Sequence, residues 1–367
     1  MEKFFNDLRD WGLQEPGILG IALVGSHARG TAGPESDVDL VILVDKLSAS
    51  MKDASWIGRF GAAQWVREED WGAVKARRVQ FADGKQVEFG FAAPEWAAID
   101  PYDAGTLMVV RNGFRILYDP RNLLRNLAIA AQPNQPERHA ITSCCGRYKR
   151  RVWFLPGPSG YAHRLALFLD AEFYLHDVDC LPILSEGMTS GVIPAMSLLF
   201  VSSVDFDSRH KDYVCDPQYS RFIAEDVVEW AAQRDRKMTR GNHVVCGLSL
   251  SGLAAAHTAF HHPRVFSAAL CQSGSFWWLA DHTILLPSTS ARLWLSVGDQ
   301  ETDSGVAHPP SGLFQRVSQI EGVKSAARSF EACGATVHCN LYPGGHTFTA
   351  WREELVPALR WLLGNTE

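Results

Sequence analysis

Between Ala131 and Arg138 the chain turns polar and passes through Pro133 and Pro136, and the apolar pattern differs on its two sides. Such a stretch offers little to bury, and its prolines break regular structure, so it reads as a linker over 131–138. It separates residues 1–130 from residues 139–367, two pieces of ordinary domain size. Downstream, short apolar runs at 151–155, 165–169, 195–202, 243–246, 268–271, 293–297 and 336–341 read as strands. Helical segments intervene over 219–233, from 251, around 324–333 and over 353–363. That alternation predicts an α/β domain with a mostly parallel sheet covered on both faces. Upstream, strands are expected at 17–24, 38–44 and 113–118, with a hairpin over 78–92 about Asp83-Gly84 and a helix over 123–131. This describes a smaller α+β domain with a mixed sheet.

Composition removes several classes. Hydrophobic residues are 46% and charged residues 21%, as in soluble globular proteins. A net charge of −6 argues against a bulk electrostatic grip on nucleic acid. The eight cysteines include no CxxC pair and read as reduced core residues. No apolar run approaches the roughly 18 residues of a membrane span, and the first residues lack a signal peptide's apolar core. The expectation is a cytoplasmic protein that does not engage membranes.

In the first piece, Gly25-Ser26 ends an apolar run and should open a short helix whose backbone amides suit a phosphate. Asp37 and Asp39 flank one residue at the start of the next strand, so both point to one face. Carboxylates held that close call for a cation, and Mg²⁺ is the expected one. Glu88, on the later hairpin strand, is placed to be the third carboxylate. The segment from Gly25 to Leu40, together with Glu88, resembles the nucleotidyltransferase superfamily of aminoglycoside adenylyltransferases and minimal nucleotidyltransferases, over about residues 1–125. That resemblance implies phosphate contact by Gly25 and Ser26, and metal ligation by Asp37, Asp39 and Glu88. It also implies transfer of a nucleoside monophosphate, usually AMP from ATP, to a hydroxyl.

In the second piece, Gly247-Leu-Ser249-Leu-Ser251-Gly252 follows a strand-like run and precedes a run of small residues. This is the logic of a nucleophile elbow, in which Ser249 projects from a tight strand–helix turn. The helix N-terminus behind it, beginning with the Leu250 amide, suits an oxyanion. Ser251 stands where such elbows usually have glycine and is the alternative nucleophile. A general base should lie late in the chain, and His346 occupies a loop between the last strand and the last helix. The acid should follow the strand at 293–297, where Asp299, Glu301 and Asp303 compete. Trp277 and Trp278 are candidates to line an aromatic pocket.

Five spaced blocks resemble the enterochelin (enterobactin) esterase family of α/β-hydrolases over about residues 140–365. They are Ala166-Leu-Phe-Leu-Asp170-Ala-Glu172-Phe-Tyr, Asp205-Phe-Asp-Ser-Arg209-His, Gly247-Leu-Ser249-Leu-Ser-Gly252, Cys271-Gln-Ser-Gly-Ser-Phe-Trp-Trp278 and Gly344-Gly-His346. The resemblance implies Glu301 as the triad acid, a second oxyanion amide at Ala171, and Arg209 near a small-molecule ester. The overall expectation is a bifunctional enzyme. Its alternatives are an esterase regulated by a nucleotide-binding domain, or a nucleotidyltransferase carrying an esterase-like platform.

Overall fold

A computed structural model describes residues 1–34, 36–47, 54–132 and 136–364. The chain forms two compact units, Met1–Gln135 and Pro136–Glu367. Residues 137 and 138, read from the sequence as linker, instead open a strand that runs Glu137–Thr142. The polar composition of that strand reflects an exposed sheet edge, where one face has nothing to bury.

The N-terminal unit is a six-stranded sheet of β1 (Ile18–Val24), β2 (Val38–Val44), β3 (Ala63–Trp71), β4 (Val74–Phe81), β5 (Gln86–Ala92) and β6 (Phe114–Tyr118). Their order is β3-β4-β5-β2-β1-β6. Only β2 and β5 pair in parallel among the strand pairs of this sheet, so it is mixed. Alternate residues separate two cores. Ile21, Leu23, Leu40, Ile42 and Phe89 meet Phe4, Leu8 and Trp11 of the helix Glu2–Gln14. That helix repeats its apolar residues three or four apart, as one buried stripe requires. Ala22, Val41, Leu43 and Ala92 face the other way, toward Leu107, Leu124 and Leu127.

The C-terminal unit is an eight-stranded sheet. Its strands are β7 (Glu137–Thr142), β8 (Lys149–Leu155), β9 (Leu165–Leu169), β10 (Ser197–Val201), β11 (His243–Leu248), β12 (Phe266–Gln272), β13 (Arg292–Gly298) and the last strand, Thr336–Tyr342. Between those last two lies a short ribbon of β14 (Val306–His308) and β15 (Leu313–Gln315), which makes the last strand β16. The order is β16-β13-β12-β11-β9-β10-β8-β7, parallel except at β8 and β7. Leu165, Leu167, Val245, Ala269 and Leu293 pack on one face with the helices Leu250–His261 and Gln319–Ala332. The intervening residues face the opposite side, where Phe168 stacks on Phe200 and the helix Phe348–Leu363 hydrogen-bonds Trp294 and Ser296 through Glu354. Both faces are covered over the central strands β9, β10, β11 and β12, so these are almost wholly buried and their carboxyl ends are left to carry polar chemistry.

Separate cores predict separate unfolding. Phe89 is fully buried and packs at 4.8 Å from Trp56 and 5.5 Å from Phe60. Phe89→Ala should cost about 3–5 kcal/mol. In calorimetry it should lower the transition of the N-terminal unit and leave that of the C-terminal unit in place; a shift of both would show one cooperative core.

Candidate functional sites

Three non-glycine residues at the carboxyl ends of adjacent strands adopt left-handed backbone: Asp170 after β9, Ser249 after β11 and Ser273 after β12, with φ of 58°, 52° and 42°. Each such conformation costs of order 1–3 kcal/mol and persists only where its surroundings over-determine it. At Ser249 the surroundings are explicit. A Cβ on Gly247 would lie 2.1 Å from the Ser251 carbonyl oxygen, so only glycine fits. The Ser251 hydroxyl accepts from the Leu248 amide and donates to the Leu248 carbonyl, both at 2.8 Å. Ser251 is fully buried. It clasps the turn from inside and has no surface to offer a substrate, while Ser249 lines an open cavity.

That cavity, of about 290 Å³, is bounded by Ser249, Trp277, Glu301, Asp303, His308 and His346 among others. His346 donates through Nδ1 to Glu301 Oε2 at 2.6 Å, which leaves Nε2 for a second partner. Of the three competing acids, Glu301 is the one that meets His346; Asp299 instead accepts from the Gly344 amide at 2.9 Å. The other Glu301 oxygen accepts from the Gly298 amide at 2.7 Å, Ser273 Oγ at 2.8 Å and Tyr342 Oη at 3.1 Å. Burial alone would raise this carboxyl; the bond to His346 and the imidazolium charge, then the other donors, outweigh it and hold it below the usual glutamate value. Trp277 is buried and stacks on His308 at 4.9 Å, forming one wall.

Ala171 and Leu250 follow the ends of β9 and β11, which are paired neighbours, so both amides belong to one edge of the sheet. Arg209, which the resemblance implies near substrate, has a buried guanidinium that grips Asp170 through Nε at 2.9 Å and Nη2 at 2.7 Å. Asp170 is fully buried and precedes Ala171, so the pair braces that turn. Ser273 and Tyr342 were not singled out in the sequence, although Ser273 lies within the quoted block at 271–278. Their role is visible only because Ser273 bridges Glu301, Tyr342 and the Trp351 indole.

In the N-terminal unit, Gly25 opens the short helix Gly25–Arg29 with φ of 69°, and a Cβ there would meet Asp39 Oδ2 at 2.9 Å. Gly25 is therefore packed against Asp39. Asp39 and Glu88 are register partners on the parallel strands β2 and β5. Burial, and then the charge of Asp37, raise the Asp39 carboxyl to about 6. The cation among these acids is Arg78 of β4. It donates to Asp37 Oδ2 at 2.5 Å, ion-pairs with Glu88, and lies 3.4 Å from Glu69. As arranged, Arg78 stands among Asp37, Asp39 and Glu88, and among the described residues no group of three His, Cys, Asp or Glu is placed to hold a metal ion.

Asp170 carries a testable consequence. Arg209→Ala would strand a buried carboxylate and should cost about 3–5 kcal/mol in urea unfolding of the C-terminal unit. Arg209→Lys should recover only part, because a lysine cannot reproduce the forked contact. Full stability in Arg209→Ala would show that the pair does not hold the turn.

Comparison with known proteins finds one family in each unit. Residues 2–88 match the family described as "Nucleotidyltransferase domain", and residues 195–362 match the family described as "Putative esterase". The iron(III) enterobactin esterase of Dickeya dadantii is 29% identical over 231 residues, 59% of this chain and 52% of that protein. The iron(III) salmochelin esterase of Escherichia coli O6:H1 is 30% identical over 145 residues, 37% of this chain and 32% of that protein. The chain thus spans about half the length of the Dickeya relative and a third of the other. Among solved structures, the enterobactin esterase of Shigella flexneri superposes with a TM-score of 0.53 at 20% identity, covering 63% of this chain and 60% of that one. The fold of the C-terminal unit is shared with it.

Proposed function

We propose that the chain joins a nucleotidyltransferase domain to an esterase domain, and that the C-terminal unit hydrolyses a carboxylic ester by a Ser249–His346–Glu301 relay. The observation that carries this reading is the 2.6 Å contact between His346 and Glu301 at the cavity that Ser249 also lines. A serine hydroxyl is a weak nucleophile at neutral pH and needs a base. In the proposed sequence, His346 Nε2 takes the proton as Ser249 Oγ bonds to the ester carbonyl carbon. Glu301 orients the imidazole and stabilises the imidazolium formed. The amides of Leu250 and Ala171 receive the oxyanion. Collapse expels the alcohol with the proton from His346, leaving an acyl-serine. Water, deprotonated by His346, then attacks that acyl carbon and releases the acid. The names of the relatives make siderophore esters the first substrates to test. Trp277 and His308 supply a flat wall suited to an aromatic group.

For the N-terminal unit the proposal is a nucleoside triphosphate, ATP first, held at the Gly25-Ser26 turn. Transfer of its nucleoside monophosphate to a hydroxyl requires a divalent cation, Mg²⁺ by preference, to reach Asp37, Asp39 and Glu88. The position of Arg78 bears directly on that step.

Ser249→Ala and His346→Ala should each lower ester turnover on the order of 10⁴–10⁶-fold, and the double variant little further, because the pair acts as a unit. Glu301→Gln should cost less than either. A fluorophosphonate probe with mass mapping should label Ser249; labelling at Ser251, or none in folded protein, would overturn the assignment. Short acyl esters and catecholate trilactones, assayed side by side, identify the substrate class.

A further inference from the structure

We infer that Arg78 is the resident cation of the N-terminal carboxylate cluster, and that a divalent metal ion enters only by taking Asp37 and Glu88 away from its guanidinium. The inference rests on the nucleotidyltransferase reading of this unit and concerns how its site is controlled.

Four carboxylates converge on this end of the sheet: Asp37 and Asp39 from the start of β2, Glu88 from β5 and Glu69 from β3. Arg78 stands directly across the antiparallel β4–β5 ladder from Glu88, which fixes where its side chain begins. Its two terminal nitrogens then divide their contacts, Nη1 to Asp37 and Nη2 to Glu88, and Nε faces Glu69. The arrangement draws on side chains from four strands, and Arg78 itself is largely withdrawn from water, at 23% exposed. A guanidinium has five donors and no acceptor, so it cannot be a metal ligand. It also repels a second cation at contact distance. The oxygens it holds, Asp37 Oδ2 and Glu88 Oε2, belong to two of the three carboxylates that a metal would need. Metal and arginine are therefore alternatives.

Glu69 gives the exchange a route. Its side chain is 15% exposed and touches only the Nε edge of the guanidinium, away from the two metal-side contacts. An Arg78 that releases Asp37 and Glu88 keeps Glu69 as a partner, so a buried charge is not left unpaired. Asp39 is the carboxylate that Arg78 does not hold in these contacts. It lies against the Gly25 turn, where an incoming metal–nucleotide would first meet the cluster.

The test is a Mn²⁺ titration of the full chain, without nucleotide, followed by the electron paramagnetic resonance signal of the free ion. Arg78→Gln should bind Mn²⁺ at least about tenfold more tightly than the wild type, since a unit charge at contact is removed. Adding Asp39→Asn to that variant should cancel the gain. Affinity unchanged or weakened in folded Arg78→Gln would overturn the inference. Arg78→Lys is the second variant and is informative even if Arg78→Gln fails to fold. It keeps the positive charge but cannot fork to Asp37 and Glu88 together, so Mn²⁺ should bind more tightly than to the wild type; unchanged or weaker binding would overturn the inference. A nucleotide-transfer assay on the same proteins separates the two failures. Tighter Mn²⁺ binding by Arg78→Gln with no transfer by any variant would sink the transferase reading alone. Transfer by the wild type, with Mn²⁺ affinity indifferent to Arg78, would sink the inference alone.

Discussion

One carboxylate organises the C-terminal site. Glu301 collects His346, Ser273, Tyr342 and the Gly298 amide, and these partners come from the ends of β12, β13 and β16 and from the loop beyond β16. Burial opposes its charge, and the bond to His346 with the other donors outweighs it. The Gly298 turn that delivers Glu301 is itself tight: a Cβ there would sit 2.3 Å from the Gly344 carbonyl oxygen, two residues before His346. The acid loop and the base loop are thus packed backbone to backbone. The imidazole orientation follows from that contact as much as from the hydrogen bond.

A similar economy operates at the neighbouring strands. The buried Arg209–Asp170 pair sets the turn that ends β9, and the Ser251 hydroxyl sets the turn that ends β11. Left-handed backbone at Asp170, Ser249 and Ser273 costs energy at three adjacent strand ends. Contacts buried beneath the edge hold those turns, which leaves the edge itself free to present amides and the serine hydroxyl. The sheet's covered faces supply stability, and its carboxyl edge is where that stability is spent on strained geometry.

Much of this was legible in the residues, and the reasons for the gaps are physical. Buried strands such as Val38–Val44 and Leu165–Leu169 announce themselves as unbroken apolar runs. The edge strands Ala63–Trp71 and Glu137–Thr142 did not, because their residues are mostly exposed and mostly polar. The expected helix over 219–233 contains a wider turn at Phe222–Val227, for which local composition gives no signal. Ser249, His346 and the three acids could be placed by their order along strands, but choosing Glu301 needed either a family resemblance or the contact itself. The partners of Arg209 and Arg78 were beyond reach for one shared reason. An arginine's partner is fixed by tertiary approach, Asp170 lying 39 residues from Arg209 and Asp37 lying 41 residues from Arg78. Sequence shows the charge and not what neutralises it.

The clasp made by Ser251 also bears on how such turns are recognised. The customary pattern asks for glycine two residues after the nucleophile because a side chain there would crowd the strand. Here a side chain is accommodated by being small, and by having its one polar atom both give and receive within the turn it crowds. The real requirement is a limit on volume together with closed local polarity, and alanine or serine can meet the first half of it. A search written in those terms would find strand–helix elbows that a literal glycine rule passes over. It would also rank a second serine in the motif as scaffold before treating it as a rival nucleophile.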